Sequence, residues 1–143
     1  MIVVDTGGLI AAIDRGDRHH RATARVLDEA RKSSTRLLIS PFVLTEVDYL
    51  ISERKKRPDV ALAILRDVAR GAYKLEEFSA EDLGKAADIV DRYRDQAVGL
   101  ADAANVVLAD RHGTRDILTT DERHFRVLRG PQGLPFRVLP ADL

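Results

Sequence analysis

Short apolar runs separated by amphipathic stretches set the pattern of this chain. Residues 1–4 are apolar and β-branched at Ile2, Val3 and Val4, and they read as a fully buried strand that ends at Asp5. Leu37–Ile39 and residues 73–78, 117–120 and 136–139 repeat the theme, giving about five short strands. Between them, residues 9–13, 22–32, 41–56, 59–70, 79–95, 100–111 and 122–125 read as helices. Ser40-Pro41 is a strong helix start, because Ser caps free amides and Pro fits the first helical position. Ser79-Ala80-Glu81-Asp82 has the pattern of a capping box, and Gly71 and Gly113 supply stops. In the second helix the apolar positions are Ala22, Val26, Leu27 and Ala30; in the fourth, Leu62, Leu65 and Val68–Ala69 are expected to turn inward. Buried strands alternating with helices predict an α/β fold, a three-layer sandwich whose mostly parallel sheet carries helices on both faces.

The 143 residues suit a single domain, 1–143, with no repeat, low-complexity tract or linker. Hydrophobic residues make up 45% and charged residues 32%, the composition of a soluble globular protein, and no apolar run approaches the about 20 residues of a membrane span. The N-terminus lacks a secretory pattern, and there is no cysteine for a disulfide, a thiolate zinc site or a thiol nucleophile. A cytoplasmic location is the expectation. The 23 basic and 23 acidic side chains cancel, but unevenly: residues 1–57 carry eleven basic against eight acidic, and residues 58–110 six against eleven. With seven aromatics and no Trp, a base-stacking platform is poorly supported.

The candidate chemistry lies in four acids. Asp5 and Asp121 each follow an apolar strand, Asp102 opens a helix after Gly99, and Glu46 lies on the helix after the second strand. In open parallel sheets ligands bind beyond the carboxyl ends of the strands, which is where these positions converge. Glu46 is placed on the apolar stripe of Val43, Val47, Leu50 and Ile51, and Asp48, rotated by about 200°, on the solvent side. Asp116 and Asp110 are set aside by distance, about 16 Å along the strand and about 12 Å down the helix. Taken singly, each acid reads better as a structural residue, Asp5 and Asp121 as helix caps, Asp102 as a complement to a helix dipole, and Glu46 as the partner of a buried Arg. Together, four converging carboxylates without a nearby basic residue would raise one another's pKa unless a cation held them ionised, and oxygen ligands suit Mg²⁺ or Mn²⁺.

These residues carry a resemblance. IVVDTGGLIA, ISPFVLTEVDYL, LADAANVVLADRHG and ILTTDERHF, in this order and over essentially the full length, resemble the PIN-domain nucleases, and within them the VapC toxins of toxin–antitoxin pairs. The resemblance implies a PIN-like fold and an acidic site of Asp5, Glu46, Asp102 and Asp121. Asp5 and Asp102 would be direct metal ligands, with Glu46 and Asp121 completing the shell or orienting the water. It also implies a hydroxyl at Thr119, which strand alternation puts on the side of Asp121. Gly7-Gly8 departs from the family, whose members often carry Ser or Ala there. The implied activity is that of a Mg²⁺-dependent endoribonuclease (Mn²⁺ substituting) that cuts structured RNA such as tRNA or rRNA and arrests translation. Metal-bound water would attack in line and leave a 5′-phosphate and a 3′-hydroxyl. The implied partners are a second copy of the chain and a VapB antitoxin seated in an apolar groove between helices. Basic side chains within 15–25 and 123–129 are candidate phosphate contacts.

Five other readings stand beside it. A DNA nuclease of the flap-endonuclease kind usually brings more acids and long insertions. In a catalytically silent α/β module that binds a partner, the acids would be caps. A phosphorylated receiver domain wants an acid pair after its first strand, where only Asp5 stands, and haloacid-dehalogenase chemistry wants an Asp at Gly7. Ser/His/Asp hydrolysis lacks a nucleophile elbow, and His19-His20 read as exposed loop residues.

Overall fold

The computed structural model describes residues 1–143. Five strands, β1 (Ile2–Val4), β2 (Leu37–Ile39), β3 (Lys74–Leu75), β4 (Asp116–Leu118) and β5 (Arg137–Leu139), form one sheet in the order β3-β2-β1-β4-β5. Every neighbouring pair is parallel, so the expected mostly parallel sheet is parallel throughout. The helices are α1 (Thr6–Ile13), α2 (His20–Lys32), α3 (Pro41–Tyr49), α4 (Pro58–Ala69), α5 (Ala80–Arg92), α6 (Leu100–His112) and α7 (Glu122–Phe125). No helix is long and apolar enough to cross a membrane.

Strand alternation divides the core in two. Ile2, Val4, Leu37, Ile39, Leu118 and Leu139 pack with Leu9, Val26, Val43, Ile51, Ile64 and other residues of α1–α4. Val3, Leu38, Ile117 and Val138 point to the other face, against Leu108, Phe125, Leu128 and Phe136. Both faces of the sheet are thereby buried, which is why its strands read as continuous apolar runs rather than alternating ones.

Several elements differ from their sequence-based bounds. Thr6-Gly7-Gly8 is the first turn of α1 rather than a connection, since the Leu9 amide bonds the Asp5 carbonyl. The glycines permit close approach instead: a Cβ on Gly8 would lie 2.3 Å from the Leu118 carbonyl oxygen. The third helix loses its α geometry at Tyr49 and widens into a π turn, Leu50–Arg54. The third strand shrinks to two exposed residues at the sheet edge, although its neighbours Tyr73 and Glu76 are buried. Glu76 is surrounded by His112, which it contacts directly, by Lys74 (3.3 Å) and by Arg111 (3.8 Å), so the end of β3 is held by charge. On α4 the buried stripe is Ala61, Ile64 and Val68; Leu62 and Leu65 face outward. On α2, Thr23 rather than Ala22 is buried, and His20 opens the helix with Nδ1 on the Ala11 carbonyl.

Candidate metal centre

Asp5 leaves β1 at its carboxyl end, with its carbonyl engaged by α1 and only 4% of the residue exposed. Two neutral donors hold the carboxylate: Asn105 Nδ2 donates to Oδ1 at 2.9 Å and Thr119 Oγ1 to Oδ2 at 2.6 Å. No Lys or Arg pairs with it. Burial, opposed by the Thr119 hydrogen bond and reinforced by the charges of Asp102 and Asp121, pushes Asp5 up to about 6.

Thr119 directly follows β4. Its hydroxyl also accepts the Asp121 amide at 3.0 Å, so one side chain fixes both Asp5 and the backbone that turns to Asp121. Asp121 then caps α7, accepting the His124 amide at 3.0 Å on Oδ1. The cap reading and the site reading of Asp121 coexist, because its other oxygen is turned to the His124 ring at 2.7 Å.

Asp102 sits in the first turn of α6, where Oδ2 accepts a long 3.4 Å bond from the Gly99 amide. Half-buried, it is raised above the ordinary carboxylate range, mainly by desolvation, with the charges of Asp121 and Glu46 adding to the shift. Its Oδ2 lies 3.5 Å from His124 Nδ1.

The donor atoms of Asp102, Asp121 and His124 all lie within 4.8 Å of one another. The tightest group is therefore Asp102 with Asp121 and His124, and Asp5 stands behind it. His124 is a residue the sequence reading passed over; its signal was the spacing D-x-x-H after the last strand, one helical turn from Asp121. Both ring nitrogens face oxygen atoms, Nδ1 toward Asp121 and Nε2 toward the Gln96 carbonyl at 2.8 Å, a setting that favours the protonated ring. Burial opposes that charge, but the Asp121 and Gln96 hydrogen bonds and the charges of Asp121 and Asp102 prevail and raise the His124 pKa.

Glu46 departs from its expected setting. The buried stripe of α3 runs through Val43, Val47 and Ile51, which puts Glu46 and Asp48 about 100° to either side of Val47. Glu46 is exposed and Asp48 half-buried, the reverse of the sequence expectation. Glu46 still reaches the site, because the Thr6 hydroxyl donates to its Oε2 at 2.6 Å.

The cluster fits a divalent cation. Two carboxyl groups are raised by burial, no Lys or Arg pairs with any of the four acids, and the one basic neighbour is a histidine lodged between two of them. The carboxylates suit Mg²⁺ or Mn²⁺, and a deprotonated His124 ring would add a nitrogen donor to the oxygen-only set expected from sequence.

A parallel sheet of this order with acids gathered at its carboxyl edge makes an open α/β fold with a candidate metal site. A family profile described as the PIN domain matches residues 2–130. The chain is 45% identical over 139 residues to ribonuclease VapC26 of Mycobacterium tuberculosis, an alignment covering 97% of this chain and 100% of that protein. The chain belongs to the PIN-domain family, in its VapC ribonuclease branch. The crystal structure of M. tuberculosis VapC20, described as a sarcin–ricin-loop-cleaving toxin, superposes with a TM-score of 0.71 over 85% of this chain and 91% of that one. At 23% identity, that likeness concerns the fold.

Proposed function

We propose that this protein is a Mg²⁺-dependent endoribonuclease toxin that cuts structured RNA, tRNA or rRNA, and is neutralised by a VapB-type antitoxin. The observation that carries the reading is the acid cluster at the carboxyl edge of the sheet, with two raised carboxyl groups and no Lys or Arg to balance it. Asp102 and Asp121 would hold the ion, with His124 as a nitrogen donor once its proton is released and Asp5 contributing from the interior. When bound, the ion acidifies water and neutralises charge that develops on the phosphate. Thr119 and Asn105 hold Asp5, and Thr6 tethers Glu46 at the open rim, where it would orient the attacking water.

The 143 residues act as one domain, in the cytoplasm, and as a homodimer. A groove of about 780 Å³ between α1, the π turn and the start of α4 has an apolar floor of Ile10, Ile13, Ile51 and Val60. Arg15, Lys55 and Arg57 stand beside it, which suits an acidic, amphipathic antitoxin segment. Family membership supports ribonuclease activity, and the VapC20 description supports ribosomal RNA as one of the two substrates to try first.

The test is cleavage of purified tRNA and rRNA with EDTA, then with Mg²⁺ or Mn²⁺ restored, followed by mapping of the ends. Activity lost on chelation, recovered with either ion and leaving 5′-phosphate and 3′-hydroxyl ends is the expected result. Undiminished cleavage in EDTA, or 2′,3′-cyclic phosphate ends, overturns the metal-dependent reading.

A further inference from the structure

Asn105 is fully buried on α6, one turn beyond Asp102, among Ala101, Ala104 and Leu108. Its Nδ2 donates to Asp5 Oδ1 at 2.9 Å, while its own Oδ1 has no hydrogen-bond partner. The amide orientation follows from chemistry, since the reverse would set two oxygens against each other. A buried acceptor left empty is unfavourable, and a leucine of similar size would avoid it. As packing, Asn105 is a poor choice for this position. Its one polar contact reaches a residue 100 positions away at the centre of the site.

We propose that Asn105 is a positioning residue for the divalent-ion site, acting through Asp5. With Oδ1 held by Asn105 and Oδ2 by Thr119, the Asp5 carboxylate is fixed in plane and rotation, yet each oxygen keeps a free lone pair. The arrangement also ties Asp5 to the helix that carries Asp102. One rigid element thus presents one ligand and sets the orientation of another. The inference rests on the metal-dependent reading above.

Asn105→Leu removes the donor and keeps the volume; Asn105→Ala removes it and leaves room for a water that can donate in its place. The measurements are Mn²⁺ affinity of the RNA-free protein by calorimetry, kcat and KM on RNA, and metal-free melting. Asn105→Leu is expected to weaken Mn²⁺ binding by about 10- to 100-fold and to lower kcat comparably, with KM for RNA unchanged. Asn105→Ala is expected to melt lower than the Leu variant and yet bind Mn²⁺ more tightly. A packing residue gives the opposite order, with Leu near wild type and Ala worse in every measurement. That order, or wild-type Mn²⁺ affinity in the Leu variant, overturns the proposal. Asn105→Val, also unable to donate, decides the matter by the same affinity criterion if the Leu variant does not fold. A wild type that binds no Mn²⁺ overturns the metal reading and this inference together; equal binding by wild type and Leu variant overturns this inference alone.

Discussion

Asp5→Asn is expected to abolish detectable cleavage while making the metal-free protein more stable at neutral pH. The gain comes from burial. Asp5 has a carboxyl pKa pushed up to about 6, against 3.8 for an unperturbed aspartate, so ionising it at pH 7 works against the fold. The native state holds its proton more tightly than the unfolded chain does. Stability contributed by protonated Asp5 is therefore complete below pH 4 and lost as pH rises toward 6, and the loss amounts to about 3 kcal/mol. Asn keeps the shape and can accept from Asn105 while donating to the Thr119 hydroxyl, so both existing contacts survive. The metal-free melting temperature should rise by roughly 5–10 °C at pH 7. The difference from wild type should disappear near pH 4. Activity should fall by at least about 10²–10³-fold, as when a preorganised charge at a reacting centre is removed. Thermal melts of both proteins from pH 4 to 7 with EDTA present, together with one cleavage assay, check all parts. A variant that melts lower than wild type at pH 7 and still cleaves RNA would show that Asp5 serves the fold alone.

The second large effect is expected at Gly8. An added Cβ would meet the Leu118 carbonyl oxygen at 2.3 Å and its carbon at 2.6 Å, both backbone atoms of a central strand. Nothing there can rotate away, so α1 would have to lift from β4. Gly8→Ala is expected to cost about 3 kcal/mol or more, at the upper end of overpacking effects, and to displace the Asp5–Thr119 pair with it. Gly7→Ala is the matched control: its Cβ would meet the Thr120 hydroxyl at 2.5 Å, a side-chain atom that can turn aside. Alanine's better helix propensity, about 1 kcal/mol, offsets much of that adjustment, leaving Gly7→Ala near neutral. Urea denaturation of the two variants should separate them clearly. Similar midpoints would mean that the close approach is not what selects glycine at residue 8.

The contrast between those two glycines shows where sequence reasoning reached and where it stopped. Fold class, strand sites and the carboxyl-edge position of Asp5 and Asp121 were legible, because burial on both faces leaves apolar runs and because an acid at a strand end stands out against them. Gly7-Gly8 was read as a turn, since sequence shows that glycine is present but not what stands opposite it. Glu46 was misplaced for a similar reason. A short helix with apolar residues at 43, 47, 50 and 51 admits two stripes, and only packing against the sheet selects the one through Ile51. Asn105 and His124 gave no periodic signal at all. Each matters through one partner distant in sequence or a turn away, Asp5 for the first and Asp121 for the second, and such pairs emerge only when the chain is folded. Leu62 and Leu65 failed the other way: hydrophobic by composition, they lie on the outer face of α4.

The all-parallel sheet also bears on when the enzyme can become dangerous to the cell that makes it. Strand β1 is central, and its partner on one side, β4, is paired through Val3 and Ile117, positions 114 residues apart. During synthesis the first strand leaves the ribosome early and waits for most of the chain before that side of the sheet can zip. Asp5 is among the first residues made, and Thr119 and Asp121, which complete its surroundings, are among the later ones. A half-made chain therefore carries Asp5 and Glu46 but neither Asp102 nor Asp121. Topology alone therefore delays completion of the cluster until the final third of the chain has emerged.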